Sequence, residues 1–141
     1  MDEKRFLVTG AGSGIGKATA IFLAKAGAEV ALLGRTRAEL EETFDIIGGS
    51  DQRHLLLEAD ISEESDMDGV ASLIQQRWGT LHGVVANAGI NGVWAPLAEI
   101  ELKEWNKTIE INLGGTFLTV KSCLPLMEGE GGSIVIVASI N

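Results

Sequence analysis

The stretch TGAGSGIGKATA, from Thr9 to Ala20, carries glycines at 10, 12, 14 and 16 directly behind a short apolar run. Glycine lets the backbone turn sharply and lets a ligand approach without meeting a side chain. A helix beginning there would present unpaired N–H groups and a partial positive charge, and the chemistry that fits both is binding of a phosphate or pyrophosphate. The spacing is not GxGxxG: from Gly10 the third glycine position falls on Ile15, and from Gly12 it falls on Lys17. The pattern that matches is TGxxxGxG, with Thr9, Gly10, Gly14 and Gly16, and with Gly12, Ser13 and Ile15 inside it. A nucleotide P-loop is excluded, because Lys17 is not preceded by GxxxxG and is followed by Ala18 rather than Ser or Thr. A tight strand-to-helix turn that binds nothing also uses glycine, so the position between first strand and first helix is what gives the loop its meaning.

Further polar residues stand at the ends of apolar runs. Behind EVALL come Gly34, Arg35 and then Arg37. A site for NAD places Asp or Glu at that point, where it accepts hydrogen bonds from the ribose hydroxyls. Here there is no carboxylate to repel a 2′-phosphate and there are guanidinium groups able to clamp one, so the reading favours NADP over NAD. Arg35 as a solvated residue at a helix start is the plainer alternative. Asn112 lies in INLGGTF and Ser139 closes SIVIVAS. Alone, Asn112 reads as an asparagine satisfying a helix carbonyl and Ser139 as a cap on the next turn. His54 and His82 each begin a strand, away from the ligand edge, and Cys123, the single cysteine, reads as a packed thiol near a helix end rather than a nucleophile.

The elements that must position these groups alternate along the chain. FLVTG, EVALLGR, HLLLEAD, LHGVVANAG and SIVIVAS are continuous apolar runs, as expected of parallel strands covered on both faces. Between them the spacing predicts amphipathic helices. One stripe is Ile15, Ala18, Phe22, Leu23 and Ala26, a second Leu40, Phe44 and Ile47, and a third Met67, Val70, Ala71, Ile74 and Trp78, stopped by Gly79. Ser62 is the expected N-cap of that third helix, with Glu63 and Glu64 near its positive end. A longer helical segment, 101–127, has apolar positions at Trp105, Ile109, Leu113, Phe117 and Val120. This repetition predicts an α/β fold: a Rossmann-type doubly wound parallel sheet with right-handed crossovers and helices on both faces. Ligands bind such sheets beyond the carboxyl ends of the strands, so residues just after a strand are the candidates for chemistry.

The totals are consistent with one domain over 1–141. The chain has 141 residues, 45% hydrophobic and 22% charged, with a net charge of −9. That charge argues against a nucleic-acid partner and against docking on anionic lipid. One cysteine, no apolar leader and no long apolar run predict a cytoplasmic protein with no membrane span.

In combination, these motifs resemble the short-chain dehydrogenase/reductase family, from the first strand to the last residue. TGAGSGIG matches that family's cofactor glycine motif. LEADIS ends its third strand, and the resemblance places Asp60, followed by Ile61, beside the adenine. ANAG is similar to the family's NNAG, with Asn87, Ala88 and Gly89 in place and Ala86 where the first asparagine would stand. INLGGTF places Asn112 at the position of the catalytic asparagine, which holds a water in the proton relay. GGSIVIVAS places Ser139 at that of the catalytic serine, which hydrogen-bonds the substrate oxygen. The resemblance implies an NAD(P)-dependent oxidoreductase, similar to 3-oxoacyl reductases or to sugar and alcohol dehydrogenases, that interconverts a small-molecule carbonyl and alcohol by hydride transfer. It also implies NADP (or less readily NAD) as cofactor, no metal, and a homo-dimer or homo-tetramer formed in part through the fourth helix.

The family's proton donor is a tyrosine followed four residues on by a lysine, shortly after the serine. This chain contains no tyrosine. The expectation is therefore of a sheet truncated after its fifth strand, with SIVIVA left as an apolar edge, and of residues retained from a longer chain. Alone they would form a dinucleotide-binding fragment without turnover; an interaction fragment is the third reading.

Overall fold

The computed structural model describes residues 1–49, 53–129 and 131–139. Five strands, β1 (Arg5–Thr9), β2 (Glu29–Gly34), β3 (Leu55–Glu58), β4 (Gly83–Ala86) and β5 (Ser133–Ile136), form one sheet in the order β3-β2-β1-β4-β5. Every pairing is parallel. The order reverses between β1 and β4, which makes the carboxyl ends of those two strands the switch point at which such sheets bind ligands. Four of the five strands fall within the apolar runs of the sequence, β1 starts one residue before its run at Arg5, and each strand ends earlier than its run.

The pleat sorts successive residues to opposite faces. Leu7, Ala31, Leu33, Leu55 and Leu57 point into one core with Met67, Val70 and Ile74 of α3 (Glu64–Arg77). Val8, Val30 and Leu32 point into the other with Ala20 and Leu23 of α1 (Gly14–Lys25) and Leu40 of α2 (Arg37–Ile46). The segment 101–127 is one helical run in parts. These are α4 (Leu102–Ile109), a π-helical stretch (Glu110–Gly115), α5 (Thr116–Cys123) and a 3₁₀ turn (Leu124–Leu126). Gly79 adopts φ +77° and its N–H donates to the carbonyls of Ile74 and Gln75, so α3 stops as expected.

Three expectations about helices need correction. The stripe of α1 assigned to the core is mostly outside: Ile15 is 64% and Phe22 70% exposed, and the face against the sheet is Gly16, Ala20 and Leu23. Small residues win that face because they let the helix approach the strands closely. In the long segment Trp105, Ile109, Leu113 and Phe117 are likewise exposed, and the inward face is Ile111, Gly115, Thr119 and Cys123. Ser62 is not the cap of α3. Glu63 occupies that position, and the Ser62 hydroxyl donates to Asp60 Oδ1 instead (2.7 Å).

The chemistry of the remaining side groups follows their places. His54 Nδ1 accepts the Val30 N–H (3.0 Å) and His82 Nδ1 accepts the Arg5 N–H (3.1 Å), so both histidines stand at the amino edge of the sheet. Burial pushes the Cys123 thiol up to about 12, which makes it inert at neutral pH. β5 is an edge strand with Val135 and Ile136 more than half exposed. No helix among the described residues is long and apolar enough to cross a membrane.

Candidate dinucleotide site

The switch point is built from Thr9 outward. Its hydroxyl, at the buried end of β1, accepts the N–H groups of Asn87 and Ala88 (both 2.9 Å), and the Asn87 side-chain amide donates to the Thr9 carbonyl (3.0 Å). One side chain thus ties the exit of β4 to the exit of β1, and the ANAG stretch is pinned against the glycine loop. Gly10 turns the chain at φ +65°, and a Cβ on Gly16 would run into the Gly10 carbonyl oxygen. Only glycine at 16 lets α1 start this close to the strand end. The loop is held from the other side too, since the Ala11 N–H donates to the Leu33 carbonyl (3.1 Å), while the Ala59 N–H donates to the Gly34 carbonyl (3.0 Å) and ties the exit of β3 to that of β2. Ser13, at the N-cap of α1, makes no capping bond with its side chain, so its hydroxyl is available to a ligand.

These constraints leave an open cleft of about 150 Å³ over the carboxyl ends of β1, β2, β3 and β4. Of the predicted residues, Gly10, Gly12, Ser13, Arg35, Asp60, Ile61, Ala88 and Gly89 line it. Thr9 and Asn87 support it from behind through the bonds just described. Gly14, Ile15 and Gly16 form the first turn of α1 and do not line the cleft.

Arg35 and Asp60 face each other, with Arg35 Nη1 3.5 Å from Asp60 Oδ2. Burial raises the Asp60 carboxyl, but hydrogen bonds from the Ser62 hydroxyl and N–H and the nearby Arg35 guanidinium outweigh it and hold the group below the usual aspartate range. Arg37, the second candidate clamp, is occupied elsewhere: it pairs with Glu41 (2.8 Å) and lies 3.8 Å from Glu58.

Asn112 sits in the π-helical stretch, and both ends of its amide are engaged by one residue. Oδ1 accepts the Ile90 N–H and Nδ2 donates to the Ile90 carbonyl, each at 2.8 Å. It therefore clasps the loop after β4 rather than a helix carbonyl. A π-turn widens the helix locally and is frequent where a side chain must be presented at a functional site. Ser139 lies beyond β5, exposed, and the Val137 N–H still pairs with the Ala86 carbonyl (3.0 Å), so Ser139 leaves the sheet at its carboxyl edge. It does not line the cleft.

Sequence reasoning missed Glu39, Thr36, Ile90 and Ile111, all of which line the cleft. Glu39 had one readable signal, an acid in the first turn of the helix that follows β2.

A pyrophosphate-linked dinucleotide fits this set. The glycine cradle would be filled by any Cβ at 16, the start of α1 carries a free serine hydroxyl, and a guanidinium stands at the end of β2. Comparison with known proteins agrees. The sequence profile of the short chain dehydrogenase family matches residues 4–141, and the chain belongs to that family. It is 37% identical to a 3beta-hydroxysteroid dehydrogenase of Mediterraneibacter gnavus, over 99% of this chain and 50% of that protein. Among solved structures it is similar to a 3-ketoacyl-ACP reductase from Sinorhizobium meliloti at 50% identity and TM-score 0.91, over 97% of this chain and 54% of that one. A 3-ketoacyl-(acyl-carrier-protein) reductase from Brucella melitensis complexed with NADH matches at 31% identity and TM-score 0.90, over 98% and 57%. The chain spans about half the length of the relatives it matches.

Proposed function

We propose that this chain is the cofactor-binding part of an oxidoreductase that interconverts a carbonyl and an alcohol by hydride transfer, with NADP(H) preferred over NAD(H). The observation that carries the reading is the cleft at the switch point, floored by Gly10 and Gly12 and walled by Arg35. A bound nicotinamide dinucleotide would supply or accept the hydride. The loop N–H groups and the Ser13 hydroxyl bind its pyrophosphate, and Arg35 takes a 2′-phosphate in place of Asp60. Thr9 and Asn87 hold Ala88 and Gly89 against the loop so that the ring end of the cleft keeps its shape. Asn112 fixes the Ile90 peptide and, through its remaining lone pair, positions a water for proton transfer. Ser139 donates its hydroxyl to the substrate oxygen. With no tyrosine in these residues, the chain alone binds dinucleotide without turnover.

The exposed stripe Trp105, Ile109, Leu113 and Phe117 is the face on which a second copy packs, and the substrate is a small-molecule alcohol or ketone met in the cytoplasm. The test is fluorescence titration with NADPH and NADH. Saturable binding of NADPH tighter than NADH, weakened by Arg35→Ala, supports the reading; binding of neither refutes it.

A further inference from the structure

We infer that Glu39 is a specificity-determining residue of the adenosine-ribose end of this cleft, where its carboxylate opposes a 2′-phosphate and favours a free ribose diol. The inference rests on the dinucleotide reading above and concerns the choice between the two dinucleotides.

Among the described residues, three charged side chains line the cleft: Arg35, Asp60 and Glu39. One cation therefore faces two carboxylates, and the cation is already partnered by Asp60. The other carboxylates of this region are committed: Asp60 to Ser62 and Arg35, Glu41 and Glu58 to Arg37, and Glu42 to Lys17 (2.8 Å). Among the described residues the Glu39 carboxylate has no hydrogen-bond or ion-pair partner; only its backbone carbonyl is used, by the Thr43 hydroxyl.

Its position is not that of a free surface acid either. It comes from the first turn of α2 and closes on the glycine loop, so that a Cβ on Gly12 would lie 2.7 Å from Glu39 Cβ and 3.1 Å from its Oε2. Gly12 and Glu39 are fitted to each other, and Glu39 lines the same cleft as Thr36 and Arg35. The end of β2, where an acid would accept the ribose hydroxyls, is Gly34. Glu39 returns a carboxylate to that corner from the next helix. A 2′-phosphate brings close to two negative charges into it, whereas a diol brings two O–H donors.

The experiment measures dissociation constants of NADPH and NADH by fluorescence titration on the protein at its native length, for wild type, Glu39→Gln, Glu39→Ala and Arg35→Ala. Neutralising Glu39 should shift the affinity ratio toward NADPH by roughly five- to tenfold at low salt, the size of one charge acting on a doubly charged phosphate across a solvated gap, and by less at 0.5 M salt. Arg35→Ala should shift the ratio the other way. A ratio within twofold of wild type in both Glu39 variants, while Arg35→Ala still moves it, overturns this inference and leaves the dinucleotide reading standing. Failure of the wild type to bind either dinucleotide overturns both.

Discussion

Replacing Thr9 by valine deletes one hydroxyl and almost no volume, and the structure makes that hydroxyl the joint between the two strands of the switch point. Thr9 is 1% exposed, and its Oγ1 receives the N–H groups of both Asn87 and Ala88 at 2.9 Å. Valine keeps the β-branch and the shape but leaves both N–H groups facing a methyl. At about 1–1.5 kcal/mol for each partly buried donor left unpaired, the loss is about 2–3 kcal/mol. For a chain of 141 residues that lowers the melting midpoint by roughly 7–10 °C. Urea unfolding followed by tryptophan fluorescence gives the free energy, and NADPH titration of the folded variant gives the functional cost. Thr9→Ser is the control, because it keeps the acceptor and loses one methyl, at about 1 kcal/mol. Thr9→Val should weaken NADPH binding more than Thr9→Ser does, since Ala88 and Gly89 line the cleft. A Thr9→Val protein within 0.5 kcal/mol of wild type, an order-of-magnitude threshold set by ordinary surface substitutions, would refute the claim that this hydroxyl joins the strands.

Three other outcomes follow from the same geometry. Gly16→Ala, which drives a methyl into the Gly10 carbonyl, should abolish dinucleotide binding in titrations, whereas Gly14→Ala has open space around it and should cost about 1 kcal/mol, the penalty of a left-handed φ, in urea melts. Asp60 is held below its ordinary value, so its contribution is present at neutral pH and lost as pH falls through the lowered native value; the decline in urea midpoint between about pH 5 and pH 3 should be shallower in Asp60→Asn. Cys123, raised to about 12 by burial, should resist a thiol reagent at pH 8 in the native protein and react fully once urea unfolds it.

The alternation of strands and helices was legible because parallel strands buried on both faces must be apolar throughout. Their amphipathic connectors also betray a helical period, and α2 and α3 bury the residues that period named, Leu40 and Met67, Val70 and Ile74. The glycine loop was legible for a different reason: a backbone that must pass within contact of another backbone tolerates no Cβ, and that requirement is written in residue type. What the period could not decide was which side of a doubly apolar helix faces inward. In α1 and in the run from α4 to α5 it named Phe22, Leu113 and Phe117, while the fold chose Ala20, Gly115 and Thr119. Close packing on a sheet selects small side chains, and that preference exists only once the sheet is there.

The cleft divides along the same line. Gly10, Ser13, Arg35, Asp60 and Ala88 could be nominated from sequence because each follows a strand, and strand ends converge at the switch point of a parallel sheet. Whether Arg35 or Arg37 meets the ligand, and which carboxylates stand beside it, depended on ion pairs between α2, β3 and the turn after it. Glu39 belongs wholly to the tertiary structure. Five residues past the end of β2 in sequence, it reaches the glycine loop only because α2 folds back over the sheet and Gly12 leaves room for it. The sequence by itself determined that strands, turns and a phosphate cradle would form, since those follow from local residue type. The balance of charge inside the cradle was decided by tertiary packing alone, because it sums groups from separate elements that share nothing but a place in space.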